Sequence, residues 1–176
     1  MRPGRFCLIA LIALLCALVP PACGDGGGSA QGGAAGQNET ETSPAAAAEA
    51  LENTSARPEI PRPTGSPPRK LRKEDIVRGK GRPAKVGDNV RIHYVGVTFS
   101  TGEEFGASWD TARPYSLRLG RGDVIDGWDK GIVGMREGGR RQLTIPPELG
   151  YGAAGDPPDI GPNETLVIVV DLLQIR

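Results

Sequence analysis

The chain has 176 residues, 24% of them charged, with 21 basic and 21 acidic side chains and a formal net charge of +0. The charge is uneven: Gly24–Pro68 holds two arginines against six acids, a balance of −4, while 17 basic and 15 acidic residues from Arg69 onward leave +2. No basic block is long enough to suggest nucleic acid as a partner. The three cysteines, Cys7, Cys16 and Cys23, all lie in the first 23 residues, and His93 is the one histidine. The remainder of the chain therefore excludes a disulfide scaffold, a thiol enzyme and a protein-only zinc or thiolate metal centre.

Arg2 and Arg5 make a positive start, Phe6–Val19 is an apolar run of 14 residues, and Pro20-Pro21-Ala22 precedes Cys23. This is the layout of a secretory signal over residues 1–22, too short to span a bilayer, which needs about 20 apolar residues. A cysteine after a small residue, followed by Gly-Asp-Gly-Gly-Gly-Ser, resembles a bacterial lipoprotein site. That resemblance implies lipidation of Cys23 and attachment to a membrane through acyl burial, without a transmembrane helix. It differs from the usual pattern in having Pro20 where leucine is common.

Residues 23–68 are rich in Gly, Ala, Ser and Thr, then in Pro, with Pro58, Pro61, Pro63, Pro67 and Pro68 at the end. They lack periodic apolar residues, and the composition predicts a disordered tether, stiffer toward its C-terminal end. A single domain is expected over 69–176, whose 108 residues suffice for one core.

From Val86 the pattern changes. Val90, Ile92 and Tyr94 alternate with polar residues and predict a half-buried strand, with His93 on the opposite face. Thr101-Gly102 marks a turn before Phe105. Tyr115, Leu117 and Leu119 form a second alternating strand, and Leu143 and Ile145 a third. Of the adjacent Arg140 and Arg141 in that strand, one is expected to face solvent. Leu166–Ile175 is a long apolar run and reads as a central strand. Between them, Trp128, Ile132 and Met135 fall at i, i+4 and i+7, one face of a helix. Its three glycines cost about 1 kcal/mol each relative to alanine, so the helix should exist only by packing on a sheet. The fold class is α+β: an antiparallel sheet wrapped against one short helix.

The ordered set Val90-Arg-Ile-His-Tyr94-Val-Gly96, Phe105, Val124-Ile-Asp-Gly-Trp128, Gly138-Gly-Arg-Arg-Gln-Leu-Thr-Ile-Pro-Pro147, Leu149-Gly-Tyr-Gly152 and Leu166-Val-Ile-Val-Val-Asp-Leu-Leu173 closely resembles FKBP-type peptidyl-prolyl isomerases. The resemblance covers essentially all of 69–176. It implies an FKBP-like curled antiparallel sheet around one short helix. It also implies a pocket with Trp128 as floor and Tyr94, Phe105, Tyr115 and Tyr151 as walls. Tyr94, Phe105, Trp128 and Tyr151 would be the catalytic set. Val124 and Ile125 at the helix start, Ile160 in the loop before the last strand, and Ile168 would complete the substrate-binding lining. The Tyr151 hydroxyl and the Ile125 backbone N–H would hold carbonyls of the substrate.

By resemblance the reaction is cis–trans isomerisation of X–Pro bonds in unfolded or nascent proteins folding outside the cytoplasmic membrane. It needs no cofactor or metal, and macrolide immunosuppressants are possible ligands of a monomer. Two positions depart from the family. The aspartate that commonly follows the pocket phenylalanine is Gly106, and its arginine partner is matched by Thr111, with Asp110 as a partial substitute. That departure supports a rival reading, a prolyl-peptide binding module or chaperone with little turnover. A structural surface domain is a third reading, which the many aromatic residues disfavour. Ser100, Ser108 and Ser116 lie in no nucleophile elbow, and with one histidine there is no second base.

Overall fold

The computed structural model describes residues 51–176. These residues contain six strands and one α-helix: β1 (Arg72–Val77), β2 (Asn89–Thr98), β3 (Glu104–Ala107), β4 (Tyr115–Arg118), α1 (Asp126–Ile132), β5 (Arg140–Ile145) and β6 (Leu166–Ile175), with a 3₁₀ turn at Pro147–Leu149. The strands form one sheet in the order β1-β5-β6-β2-β3, with β4 also paired to β2. All pairings are antiparallel. β3 and β4 take successive parts of one edge of β2: Val95–Val97 meets β3 and Asn89–Ile92 meets β4. The 10-residue β2 and β6 therefore form the centre of a sheet curled over α1, the α+β, FKBP-like architecture expected.

The period of two decides what the sheet encloses. Val90 and Ile92 of β2, Leu117 of β4, Leu143 and Ile145 of β5, and Leu166, Ile168, Val170 and Leu172 of β6 share one core with Trp128 and Ile132 of α1. Fully burying each such side chain contributes about 1.5 to 3 kcal/mol. The glycines of α1 have a packing role. A Cβ on Gly127 would come within 2.4 Å of Ile145, and one on Gly131 within 2.6 Å of Leu143. Their absence lets the helix backbone lie directly on β5. The helix is shorter than its apolar spacing predicts. It ends at Ile132, Gly134 turns the chain at φ +86, and Met135 is buried from the following segment, where its carbonyl accepts from the Ala84 N–H.

The other face of the sheet holds a polar centre. Arg140 is fully buried; its Nε donates to Asp171 Oδ1 and its Nη2 to Asp171 Oδ2 at 2.8 Å. Nη1 and Nη2 also donate to the carbonyls of Leu51 (2.9 Å) and Ala56 (2.8 Å) respectively. Arg141, on the core-facing side, is also buried; it donates to Asp75 on β1 and to the Gly131 carbonyl at 2.8 Å. The expectation that one of the two arginines faces solvent is thus corrected. Both strand faces are covered, and the carboxylate and carbonyl oxygens around each guanidinium offset the cost of burying its charge.

The cover over Arg140 comes from the last part of the expected tether. Residues 51–68 lie along the domain. Arg57 pairs with Glu104 of β3 and stands 3.7 Å from Asp110. Arg62 Nη2 donates to the Ser100 carbonyl at 3.4 Å. Ile60, Pro61, Pro63 and Pro68 line a groove with Phe99, Thr144 and Val167. Val95, Val97, Val167 and Val169 are buried although they point away from the core. Proline rings supply apolar surface at little entropic cost, so a segment that cannot build a core can still cover one. The remainder of the expected tether, the proposed signal and Cys23 lie outside the described residues.

Candidate functional site

On the core side, where the curled sheet meets α1, a cavity of about 430 Å³ opens to solvent. Trp128 forms its floor, placed by the first turn of α1, and is buried to all but 7%. Tyr94 (β2) and Tyr115 (β4) stand around it edge-on. Ring centroids lie 4.9 Å apart for Tyr94–Trp128, 6.0 Å for Tyr115–Trp128 and 6.2 Å for Tyr94–Tyr115, with interplanar angles of 69°, 89° and 82°. Such edge-to-face contacts hold each ring by its quadrupole and leave the cavity walls apolar.

Phe105 comes from β3, Val124 and Ile125 from the entry to α1, Ile168 from β6, and Tyr151 and Ile160 from the loop before β6. All nine residues predicted for the pocket line this one cavity. The long loop is held by its own backbone. Gly152 N–H donates to the Pro147 carbonyl, Asn163 N–H to that of Gly152, and Asp156 and Ile160 exchange two hydrogen bonds.

Polar atoms in the cavity are largely unpaired. The Trp128 Nε1–H is buried without a hydrogen-bond partner. The Tyr94 and Tyr151 hydroxyls and the Ile125 N–H donate to nothing among the described residues, while the Ile125 carbonyl accepts from Trp128 N–H at 2.9 Å to start α1. Burial raises the Tyr94 hydroxyl above the usual phenol range, with smaller contributions from Tyr115 and Tyr151. Burial, then Asp156 and Tyr115, do the same for Tyr151. Both stay protonated donors at neutral pH. Unpaired donors in an apolar, concave site are what a ligand with carbonyl groups can satisfy.

Sequence reasoning missed four features. Asp123, Asp156 and Asp159 line the cavity, single loop aspartates without a pattern in the chain. Asp129 accepts from Gly120 N–H at 3.0 Å and Gly122 N–H at 3.2 Å, fixing the loop that carries Asp123 and Val124. Gly106 also lines the cavity. Asp110, the expected partial substitute for its missing carboxylate, does not: it is exposed beside Arg57, because the chain turns away from the pocket after Ala107. His93 lies behind the wall, half-buried. It stacks on Trp109 at 4.4 Å, and its Nδ1 is 2.8 Å from Ser108 Oγ, which accepts from the Tyr94 N–H.

With this geometry in place, comparison with known proteins gives the family. Residues 80–173 match the family model for FKBP-type peptidyl-prolyl cis-trans isomerase. The chain is 50% identical over 120 residues to an FK506-binding protein of Streptomyces anulatus, covering 68% of this chain and 97% of that one. It is 46% identical over 117 residues to a probable FK506-binding protein of Corynebacterium glutamicum, covering 66% and 97%. The crystal structure of AtFKBP13 superposes with a TM-score of 0.56 at 35% identity, covering 60% of this chain and 93% of that one. The chain belongs to the FKBP-type peptidyl-prolyl cis-trans isomerase family, whose general activity is prolyl isomerisation in protein folding. The 120-residue match exceeds the 108 residues of Arg69–Arg176, so at least 12 matched residues precede Arg69 and fall in the segment docked over Arg140.

Proposed function

We propose that this chain is an active prolyl isomerase working on proteins that fold outside the cytoplasmic membrane. The observation that supports it best is the convergence of Tyr94, Phe105, Tyr115, Trp128 and Tyr151 on one cavity whose donors are unpaired. Partial double-bond character sets a barrier of about 20 kcal/mol for rotation about the X–Pro bond. The planar amide is dipolar and the twisted transition state less so. An apolar cavity over Trp128 therefore disfavours the ground state relative to the twist. Tyr151 Oη and the Ile125 N–H hold the flanking carbonyls while the prolyl ring rests on the Trp128 indole. No nucleophile takes part in this mechanism.

The N-terminal features complete the proposal. Residues 1–22 direct export, Cys23 carries lipid in the manner of bacterial lipoproteins, and the following residues tether a monomeric domain to the outer side of the membrane. Two matched relatives are named for binding FK506; this chain's cavity is proposed to accept such macrolides as well as prolyl segments. Gly106 favours a second reading, a pocket that binds prolyl peptides with little turnover. A protease-coupled isomerisation assay on the full chain separates the two: turnover well above the thermal rate supports the enzyme, and peptide binding without turnover supports the binding module.

A further inference from the structure

The charged part of the cavity lining is of one sign. Asp123, Asp156 and Asp159 are on it, and none of its lining residues is Lys, Arg or His. Asp156 and Asp159 make no ion pair among the described residues. Asp123 has only Arg121, 3.7 Å away with both side chains more than half exposed, an arrangement that solvent screens. The three carboxylates are solvent-exposed beside aromatic walls, so their pull on a cation in the cavity adds up in one direction and weakens as salt rises. They are set around its mouth: Asp123 precedes Val124 and Ile125 at the entry to α1, while Asp156 and Asp159 belong to the loop of Tyr151 and Ile160.

That the lining receives a ligand rests on a separate observation. Trp128, more than nine-tenths buried, forms the cavity floor, and its Nε1–H has no hydrogen-bond partner among the described residues. Gly106 adds to this. A Cβ there would meet only Tyr94, at 3.7 Å, so the fold does not require glycine, and its effect is to leave that stretch of wall open.

We infer that the site selects prolyl segments carrying a lysine or arginine beside the proline, the aliphatic stem lying on the aromatic wall and the cation facing the carboxylates of the rim. This rests on the prolyl-segment reading above. Long basic side chains suit the arrangement because the stem buries apolar surface while the head stays solvated near charge. A glutamate in the same place meets three like charges.

The test uses the full chain and three tetrapeptides that differ only in the residue before proline, Lys, Leu or Glu, and a second set that varies the residue after it. The expected order of kcat/KM is Lys above Leu above Glu in at least one set, with a Lys to Glu ratio of about 5 to 10 at low salt that shrinks as salt rises. In the Asp156→Asn/Asp159→Asn variant the ratio should fall toward 1. Equal values for Lys, Leu and Glu in both sets, or a ratio insensitive to salt and to the double variant, would overturn the inference while leaving the isomerase reading intact. Absence of turnover for every peptide would sink the isomerase reading instead. The same peptide series, followed by tryptophan fluorescence on binding, then decides the charge preference.

Discussion

The two faces of the central strands use polar groups in opposite ways. Behind the sheet, Arg140 and Asp171 are fully buried and four of the five guanidinium N–H groups are placed, two on the carboxylate and two on the Leu51 and Ala56 carbonyls, while the Trp109 indole N–H beside His93 has no partner among the described residues. In front, the Trp128 N–H is unpartnered, and the Tyr94 and Tyr151 hydroxyls have no partner among the described residues. The buried Arg140–Asp171 pair fixes the register of β5 on β6 and is costly to disturb. The two tyrosine hydroxyls in front stay available to a ligand. Stability concentrated behind the sheet thus lets the pocket in front keep its donors free.

The sharpest way to break this comparison is to remove one partner of the rear pair. Asp171→Ala strands a buried guanidinium and should cost about 3 to 5 kcal/mol in denaturant unfolding. A loss below 1 kcal/mol would mean that the rear cluster does not carry the fold. Next comes the cover itself. Deleting residues 1–68 removes two hydrogen bonds to a charged group and should cost about 2 to 3 kcal/mol, a fall in Tm on the order of 10 °C. An unchanged Tm would show that the docked segment is dispensable.

Two glycines sharpen the contrast further. Gly131→Ala forces a Cβ to within 2.6 Å of Leu143 and should cost about 1 to 3 kcal/mol. Gly106→Ala has room and an ordinary backbone, and its stability should change by less than about 1 kcal/mol. Equal effects from the two would remove the distinction between packing glycine and pocket glycine.

The smallest expected effect is a pH dependence from His93. Burial, followed by Arg91, lowers its pKa below the usual imidazole value of about 6.5, against an opposing pull from Asp171. The unfolded chain then takes up this proton first. Its contribution to stability is complete above the unfolded pKa and is lost as pH falls from there through the folded pKa. Thermal melts between pH 7.5 and 5 should show this slope, and His93→Gln should flatten it. A slope unaffected by the substitution would assign the dependence elsewhere.

Most of the sheet was legible because β2, β4 and β5 alternate cleanly and β6 is apolar on both sides. β1 was not: Arg72–Asp75 is exposed and charged, an edge strand defended against pairing, and such strands have no apolar signature. The helix was read too long because periodicity registers Met135, whereas Gly134 stops the backbone two residues after Ile132. The docked segment was hidden by its prolines, which spell a linker in composition yet lie against Phe99 and Val167 in space. Arg140 could have exposed it: a strand so apolar on its neighbour β6 leaves little solvent for an arginine, and Asp171 opposite it marks a buried pair. For the pocket, motif order was enough to name nine lining residues. The rim aspartates were invisible because only the fold brings Asp123 near Asp156 and Asp159.

Acceleration of prolyl isomerisation by the aromatic front face is read most directly from the protease-coupled rate of the full chain beside that of its Trp128→Ala variant, each checked for retained β-sheet signal. The parent chain should run well above the uncatalysed rate and the variant should lose at least about tenfold, equivalent to about 1.4 kcal/mol of transition-state stabilisation. A folded parent chain with no rate above background, or a folded variant as fast as its parent, would contradict that acceleration.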